Sequence, residues 1–283
     1  GDGINFQSDT NPAISAEFAH AVYRLGHSML TENILRTNTD GSTNDITLFE
    51  GFLNPLEFND DGAGGTLTAA EAAGAIFQGG ARDQGNHIDE FVTNVLRNQL
   101  LGLPLDLAVF NLARGRSEGL APLNSVRRQL LATTGETSLA PYESWIDFSF
   151  NMKYQESLVN FIAAYGTHPS ITTFDLDGAG TDEFAGSINS RRAAAEAIVN
   201  GVGPAPIPAD ADDFMNSQGA TWGNLADGTT VTGVDDIDLW MGGLAERTAP
   251  FGGMLGTTFN YIFEIQMENL QNADRFYYLE RLD

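Results

Sequence analysis

The sequence predicts a mainly α protein, on three observations. Apolar residues recur at three- and four-residue spacings over long stretches, the period of helices with one buried face. Helix-opening residues stand just ahead of such stretches, as at Ser15, Thr68 and Pro122. Alternation of Val, Ile and Thr, which would mark strands, is confined to short patches such as 228–234.

The first helix is expected from Ser15 to about Asn33. Ser15 is placed to cap it, and Glu17 brings a negative charge to the first turn, where the helix dipole favours one. Phe18, Val22, Leu25, Met29 and Leu30 form its apolar stripe. Arg24 and His27 lie in that stripe, three apart and so on one face, and Gly26 removes side-chain bulk beside the histidine. A guanidinium and an imidazole among apolar residues require partners, because an unpaired buried polar group is costly.

Residues 37–47 are a turn-rich loop, and 48–58 form a short apolar helix broken at Pro55. Residues 59–71 resemble a calcium loop at first sight. With Asp60 at position 1, Gly65 and Glu71 fall at positions 6 and 12, but positions 3 and 5 are Gly62 and Gly64, which have no side-chain oxygen. The segment therefore reads as a glycine-rich turn in which Thr68 caps the next helix. Residues 85–102 are expected to be an amphipathic helix with Ile88, Phe91, Val92, Val95, Leu96 and Leu100 inward and His87 at its start. The helix over 105–116 carries Asn111 and Arg114 on one face. Pro122 opens another, and 141–167 hold two more, with Trp145, Phe148, Leu158, Phe161 and Ile162 as core.

Residues 168–233 differ in texture. Prolines, glycines and acidic residues dominate, and one helix near 187–200 interrupts them, so the stretch reads as a loop-rich insertion. Its Asp175 and Asp177 are candidate calcium ligands, although Gly186 stands where an EF-hand needs its closing glutamate. After 234–246, the apolar positions Leu255, Phe259, Ile262, Phe263, Ile265 and Met267 predict a long buried helix.

Composition bounds the function. The 283 residues, 42% of them hydrophobic, suffice for a sizeable core. With 38 Asp and Glu against 14 Lys and Arg, the formal charge is −24, which repels nucleic acid and anionic lipid and attracts cations. Cysteine is absent, which removes disulfides, zinc–thiolate sites and thiolate haem ligands. No apolar run is long enough to span a membrane. Acidity without cysteine suits an exported, extracellular bacterial protein, and the polar opening GDGINFQSDTNP suits a chain cut from a longer one.

Four segments carry a resemblance. EFAHAVYRLGHSML (17–30) resembles the proximal-histidine helix of the animal-type haem peroxidases, the peroxidase–cyclooxygenase superfamily. FNLARGRSEGLAPLN (110–124) is similar to that family's N-x-x-R-G-R-D-H-G-x-x-x-Y-N segment, VDDIDLWMGGLAE (234–246) to V-D-D-I-D-L-x-x-G-G-L-x-E, and DRFYYLE (274–280) to D-R-F-W-Y-E. They occur in the family's order.

The resemblance implies a peroxidase-like helical domain, present in part and bearing long irregular acidic loops. It implies a b-type haem, which family members can link covalently through residues upstream of this stretch. On this resemblance His27 is the axial iron ligand, and Asn111 accepts the histidine's other N–H, which fixes its tautomer and raises its basicity. Arg24 and Arg114 are the arginines that meet the haem propionates. The implied partners are haem, H2O2, an unidentified reductant and an N-terminal distal half. Two departures are local: Ser117-Glu118-Gly119 replace D-H-G, and Leu123 replaces the tyrosine. A larger one is that the distal histidine, distal arginine and calcium loop have no counterpart here, since His20, His87 and His168 lie outside that motif. The expectation is a peroxidase completed by its distal half, this chain alone being inactive. The competing expectation is a non-catalytic peroxidase-like module of a large extracellular, calcium-binding, adhesin-type protein.

Overall fold

A computed structural model describes residues 6–98, 102–178, 184–250 and 253–277. The chain divides into two compact units, Tyr23–Ser117 and the residues on either side of it. In chain order the helices begin with α1 (Ala16–His20), α2 (Gly26–Met29), α3 (Leu48–Gly51), α4 (Ala69–Gly80), α5 (Asn94–Asn98) and α6 (Leu107–Ser117). They continue with α7 (Leu123–Thr134), α8 (Trp145–Phe150), α9 (Leu158–Tyr165), α10 (Pro169–Thr173) and α11 (Ile188–Asn200). The last are α12 (Ala211–Asn216), α13 (Gly219–Trp222), α14 (Leu239–Ala245) and α15 (Thr257–Asn272). Among the described residues the strands are β1 (Asn33–Ile34) and β2 (Ile46–Thr47), antiparallel, with Asn33 opposite Thr47 and Ile34 opposite Ile46.

In the 23–117 unit, Leu48 and Leu96 are the buried centre of a small apolar cluster that Ile34, Val92, Val95, Leu105 and Leu107 surround. This cluster places α5 and α6 against the β1–β2 hairpin. Two helices start by reciprocal capping. Thr47 and Glu50 cap α3, and Thr68 and Glu71 cap α4, each threonine hydroxyl accepting the glutamate's N–H while the carboxylate takes the threonine's. The glycine-rich turn before Thr68 folds its carboxylates inward: Asp61 Oδ1 accepts from the Ala63 and Gly65 N–H groups, each at 2.8 Å.

The flanking unit has the larger core. Trp145, Phe148, Phe161 and Ile162 are buried as expected, and Phe148 meets the Tyr142 and Phe161 rings edge-on, both at 5.2 Å between centroids. Ser144 caps α8 through the Asp147 N–H. On α11 the small buried residues Ala194, Ala195 and Ala197 allow close packing on α9, and Arg191 Nε donates to the Ala163 carbonyl at 2.6 Å. Gly242 and Gly243 on α14 leave no room for a side chain: a Cβ on Gly242 would press on Leu123 and Ile237, and one on Gly243 would collide with the Phe259 ring.

Beneath that packing lies a closed polar cluster. Arg127 is buried, and its Nε donates to Ala140 O (2.8 Å), Nη2 to Ser138 O (2.9 Å) and Nη1 to Glu246 Oε1 (2.7 Å) and both Thr257 and Thr258 Oγ1. Glu246 accepts further from Tyr142 OH (2.9 Å), Thr258 Oγ1 (2.6 Å) and Thr258 N–H (2.9 Å).

Several expectations are corrected. The opening helix does not run to Asn33: α1 ends at His20, Ala21 leaves helical geometry (φ −124°, ψ −71°), a 3-10 turn spans Val22–Leu25, and α2 stops at Met29. Leu30 is exposed rather than part of a buried stripe. The helix expected over 85–102 starts only at Asn94 among the described residues, and residues 99–101 lie outside them. Residues 228–234 form no strand. On α15, Phe259 and Ile262 are buried but Phe263 and Ile265 are exposed, so the helix is amphipathic rather than buried all round. The stretch 168–233 carries four helices, α10 to α13, where one was expected.

Candidate functional site

The candidate site residues lie in the 23–117 unit, on α2, on the turn before it and on α6. The end of α2 is fixed by loop backbone rather than by a helix. Ser28 Oγ donates to Leu25 O (2.9 Å), Asn86 N–H donates to Met29 O (3.0 Å), and Asn86 Nδ2 donates to Leu30 O (2.9 Å). These bonds explain why 85–93 is not helical: its polar groups satisfy the carbonyls that α2 leaves free at its C-terminus. Asp106 helps to start α6, its Oδ1 accepting from the Val109 N–H at 3.1 Å.

The two helices bring His27 and Asn111 together, although 84 positions separate them in sequence. Asn111 is 1% exposed, and its Nδ2 lies 2.8 Å from His27 Nδ1. Its Oδ1 accepts from Arg24 Nη1 at 3.3 Å. The two side chains therefore meet, with the amide's Oδ1 on the Arg24 side and its Nδ2 on the imidazole side.

Burial lowers the pKa of His27 below its ordinary range, and the Arg24 guanidinium lowers it further, so the ring is neutral at pH 7. Burial and then the neighbouring Arg114 lower that of Arg24. Arg24 Nε is buried without an acceptor, and Arg114, exposed on α6, has no carboxylate partner among the described residues. Two guanidiniums that feel each other's charge, with no carboxylate partner among the described residues, make an anion-seeking patch. Gly26 adds open space beside His27, since a methyl there would meet nothing within 4 Å. Neutral imidazole, open flank and two unmatched guanidiniums fit a metal-bearing group with carboxylate arms.

The sequence model of the family described as animal haem peroxidase matches residues 2–183 and 229–282. The chain belongs to the animal haem peroxidase family. It is similar to Peroxinectin A of Dictyostelium discoideum, 27% identical over 187 residues that make up 64% of this chain and 31% of that protein. It is also similar to the Peroxidasin homolog pxn-2 of Caenorhabditis elegans, 24% identical over 282 residues, 98% of this chain and 15% of that one. The structure of Peroxidase A from Dictyostelium discoideum shares the fold, with a TM-score of 0.58 at 22% identity over 98% of this chain and 38% of the other. The chain thus spans 31% and 38% of the first relatives it matches. The family match omits 184–228, the stretch that holds α11, α12 and α13.

The remaining candidates are dispersed. Asp175 Oδ1 accepts from the Gly178 N–H at 2.9 Å, Asp177 is exposed, and residues 179–183 of that loop lie outside the described set. Among the described residues no three His, Cys, Asp or Glu side chains are grouped to hold a metal ion, and no helix is long and apolar enough to cross a membrane. His168 is structural: its Nδ1 accepts from the Ser170 N–H at the start of α10, its Nε2 faces Asp210 at 3.2 Å, and Phe214 and Trp222 pack against its ring. His87 is exposed on the rim of a cavity of about 510 Å³ that Ser28, Asn86 and Asp89 also line. Ser28 and Asn86, which hold α2 in place, were not legible as site residues, because their partners are backbone carbonyls that sequence does not mark.

Proposed function

We propose that this chain forms the proximal, haem-facing side of an animal-type haem peroxidase, which oxidises a reductant with H2O2. His27 would hold the haem iron, Arg24 and Arg114 would meet the haem carboxylates, and Asn111 would orient the imidazole. The observation that carries this reading is the Arg24–Asn111–His27 chain of contacts, with the Arg114 charge felt at Arg24 and no carboxylate paired with either guanidinium among the described residues. When bound, a b-type haem supplies the iron that accepts electrons from the reductant and passes them to peroxide.

The residues of this chain do the holding. Asn111, buried on α6, restrains the ring plane of His27 through Nδ1 and leaves Nε2 as the outward nitrogen. The two guanidiniums exchange mutual repulsion for charge-assisted bonds to carboxylates. Proton transfer to and from peroxide belongs to the distal half, which this reading assigns to the rest of the parent protein. An exported location accords with the acidic, cysteine-free composition.

The test is the absorption spectrum of the chain titrated with haemin, alone and with the upstream half supplied. The expected result is a defined Soret band that His27→Ala abolishes or shifts to that of unligated haem. An identical band in His27→Ala overturns the ligand assignment. Free-haemin spectra even with the upstream half present favour the non-catalytic module instead.

A further inference from the structure

Ser28 and Asn86 hold the C-terminal end of α2, and both also wall a cavity of about 510 Å³. That volume suits a small organic molecule. Asp89 and Thr93 add polar lining, while Phe91 and Val92 supply apolar surface.

Asp89 is 6% exposed, yet nothing neutralises its carboxylate. Its Oδ1 accepts from the Phe91 N–H at 2.9 Å, and its backbone N–H donates to Ser28 Oγ at 3.4 Å. Among the described residues no Lys, Arg or His forms an ion pair with it. A carboxylate taken out of water is costly unless an opposite charge accompanies it. Thr93 adds a second unmet group, because its Oγ1 is buried without a hydrogen-bond partner. Both line the same cavity, together with the exposed Phe91.

Elimination identifies the missing charge. A metal ion needs several ligands, and among the described residues no three His, Cys, Asp or Glu side chains are grouped to hold one. An anion is repelled by Asp89 and by the chain's formal charge of −24. A neutral molecule leaves the carboxylate uncompensated. An organic cation meets every condition, since its charge answers Asp89 and an aromatic ring attracts positive charge as well as hydrocarbon.

We propose that this cavity binds a primary ammonium group carried on an apolar body. Asp89 takes the charge, Thr93 Oγ1 accepts an ammonium N–H, and Phe91 and Val92 cover the hydrocarbon. A free amine and a lysine side chain of a polypeptide present the same chemistry. Either occupant lies against Ser28 and Asn86, the residues that pin the helix carrying His27.

The test uses the full chain without haem, so it is independent of the ligand assignment at His27. Calorimetric titration with benzylamine should show one saturable site. Benzyl alcohol, neutral and of nearly the same shape, should bind about tenfold more weakly, in line with the worth of a hydrogen bond to a charged group. Asp89→Asn keeps an oxygen for the Phe91 N–H and removes the charge. It should weaken benzylamine by about tenfold and leave benzyl alcohol unmoved. Its unfolding midpoint without ligand should hold or rise, because an uncompensated buried charge is gone. Thr93→Val, close in shape, should weaken benzylamine several-fold, and it carries the test if Asp89→Asn fails to fold. Butylamine binding more tightly than a capped Ala-Lys-Ala peptide supports a free amine as the occupant, and the reverse order supports a polypeptide lysine. The proposal is overturned if no amine binds saturably, if benzyl alcohol binds as tightly as benzylamine, or if benzylamine affinity is unmoved by the substitutions.

Discussion

Two arginine clusters in this chain, one in each unit, are built to opposite rules. Around Arg127 every nitrogen has an acceptor, and the paired Glu246 carboxylate receives hydroxyl and backbone donors besides. Around Arg24 one nitrogen is orphaned, a second guanidinium stands nearby, and no carboxylate faces either one among the described residues. The closed cluster can do nothing further, and its role is to fix α7 against α14 and α15. The open one has unmet capacity, which is what a binding site needs before its ligand arrives. The same residue type is structural or functional according to whether its hydrogen bonds are complete.

The largest effect that would break this comparison lies in the closed cluster. Glu246→Ala leaves the Arg127 charge buried without its counter-ion, and chemical unfolding should register a loss of about 3–5 kcal/mol. A loss under about 1 kcal/mol, the range of an exposed pair, would mean the cluster is not the keystone described. A smaller effect comes from Tyr142, whose hydroxyl is buried against Glu246. Burial, then the Glu246 charge, raises its pKa far above the ordinary tyrosine value. The folded state therefore keeps that proton where the unfolded chain loses it, near pH 10. Stability contributed by Tyr142 is full below pH 10 and falls as pH rises beyond it, by about 1.4 kcal/mol per pH unit. Denaturant midpoints between pH 9 and 11 should show this slope, and Tyr142→Phe should flatten it. The smallest effect on folding belongs to the open cluster. Arg114→Gln should change stability by less than about 0.5 kcal/mol, as exposed substitutions do, yet weaken haemin binding several-fold. A destabilised Arg114→Gln with unchanged haemin affinity would reverse the assignment of roles.

How much of this was legible in the sequence depended on how local the cause was. Thr68 with Glu71, Pro122 before α7, and the apolar pattern of α8 and α9 announce themselves, because capping and periodicity act within a few residues. The fold class and the four family-like segments were legible for the same reason. The break after His20 and the missing helix over 85–93 were not. Three-residue spacing fits a 3-10 turn as well as an α-helix, and the 85–93 segment is held by Met29, Ser28 and Leu30 from sixty positions away. His27 and Asn111 were legible as a pair only through resemblance. Their meeting depends on tertiary packing, and the amide's orientation depends on a third residue, Arg24, whose claim on Oδ1 no spacing rule reveals. Within 168–233, α11 was legible, whereas α10, α12 and α13 escaped notice because segments of four to six residues carry little periodicity.

The paired glycines of α14 have a consequence for reading other chains of this kind. The long segment from Val234 to Glu246 looks like a badge of chemistry, yet Gly242 and Gly243 are required by Leu123, Ile237 and the Phe259 ring, and Glu246 by Arg127. The segment's glycines and its glutamate therefore serve the architecture of a helical scaffold. A variant of this chain with His27 replaced would still need those glycines to pack α14. Finding the segment in a chain speaks for its packing and is silent on its occupation.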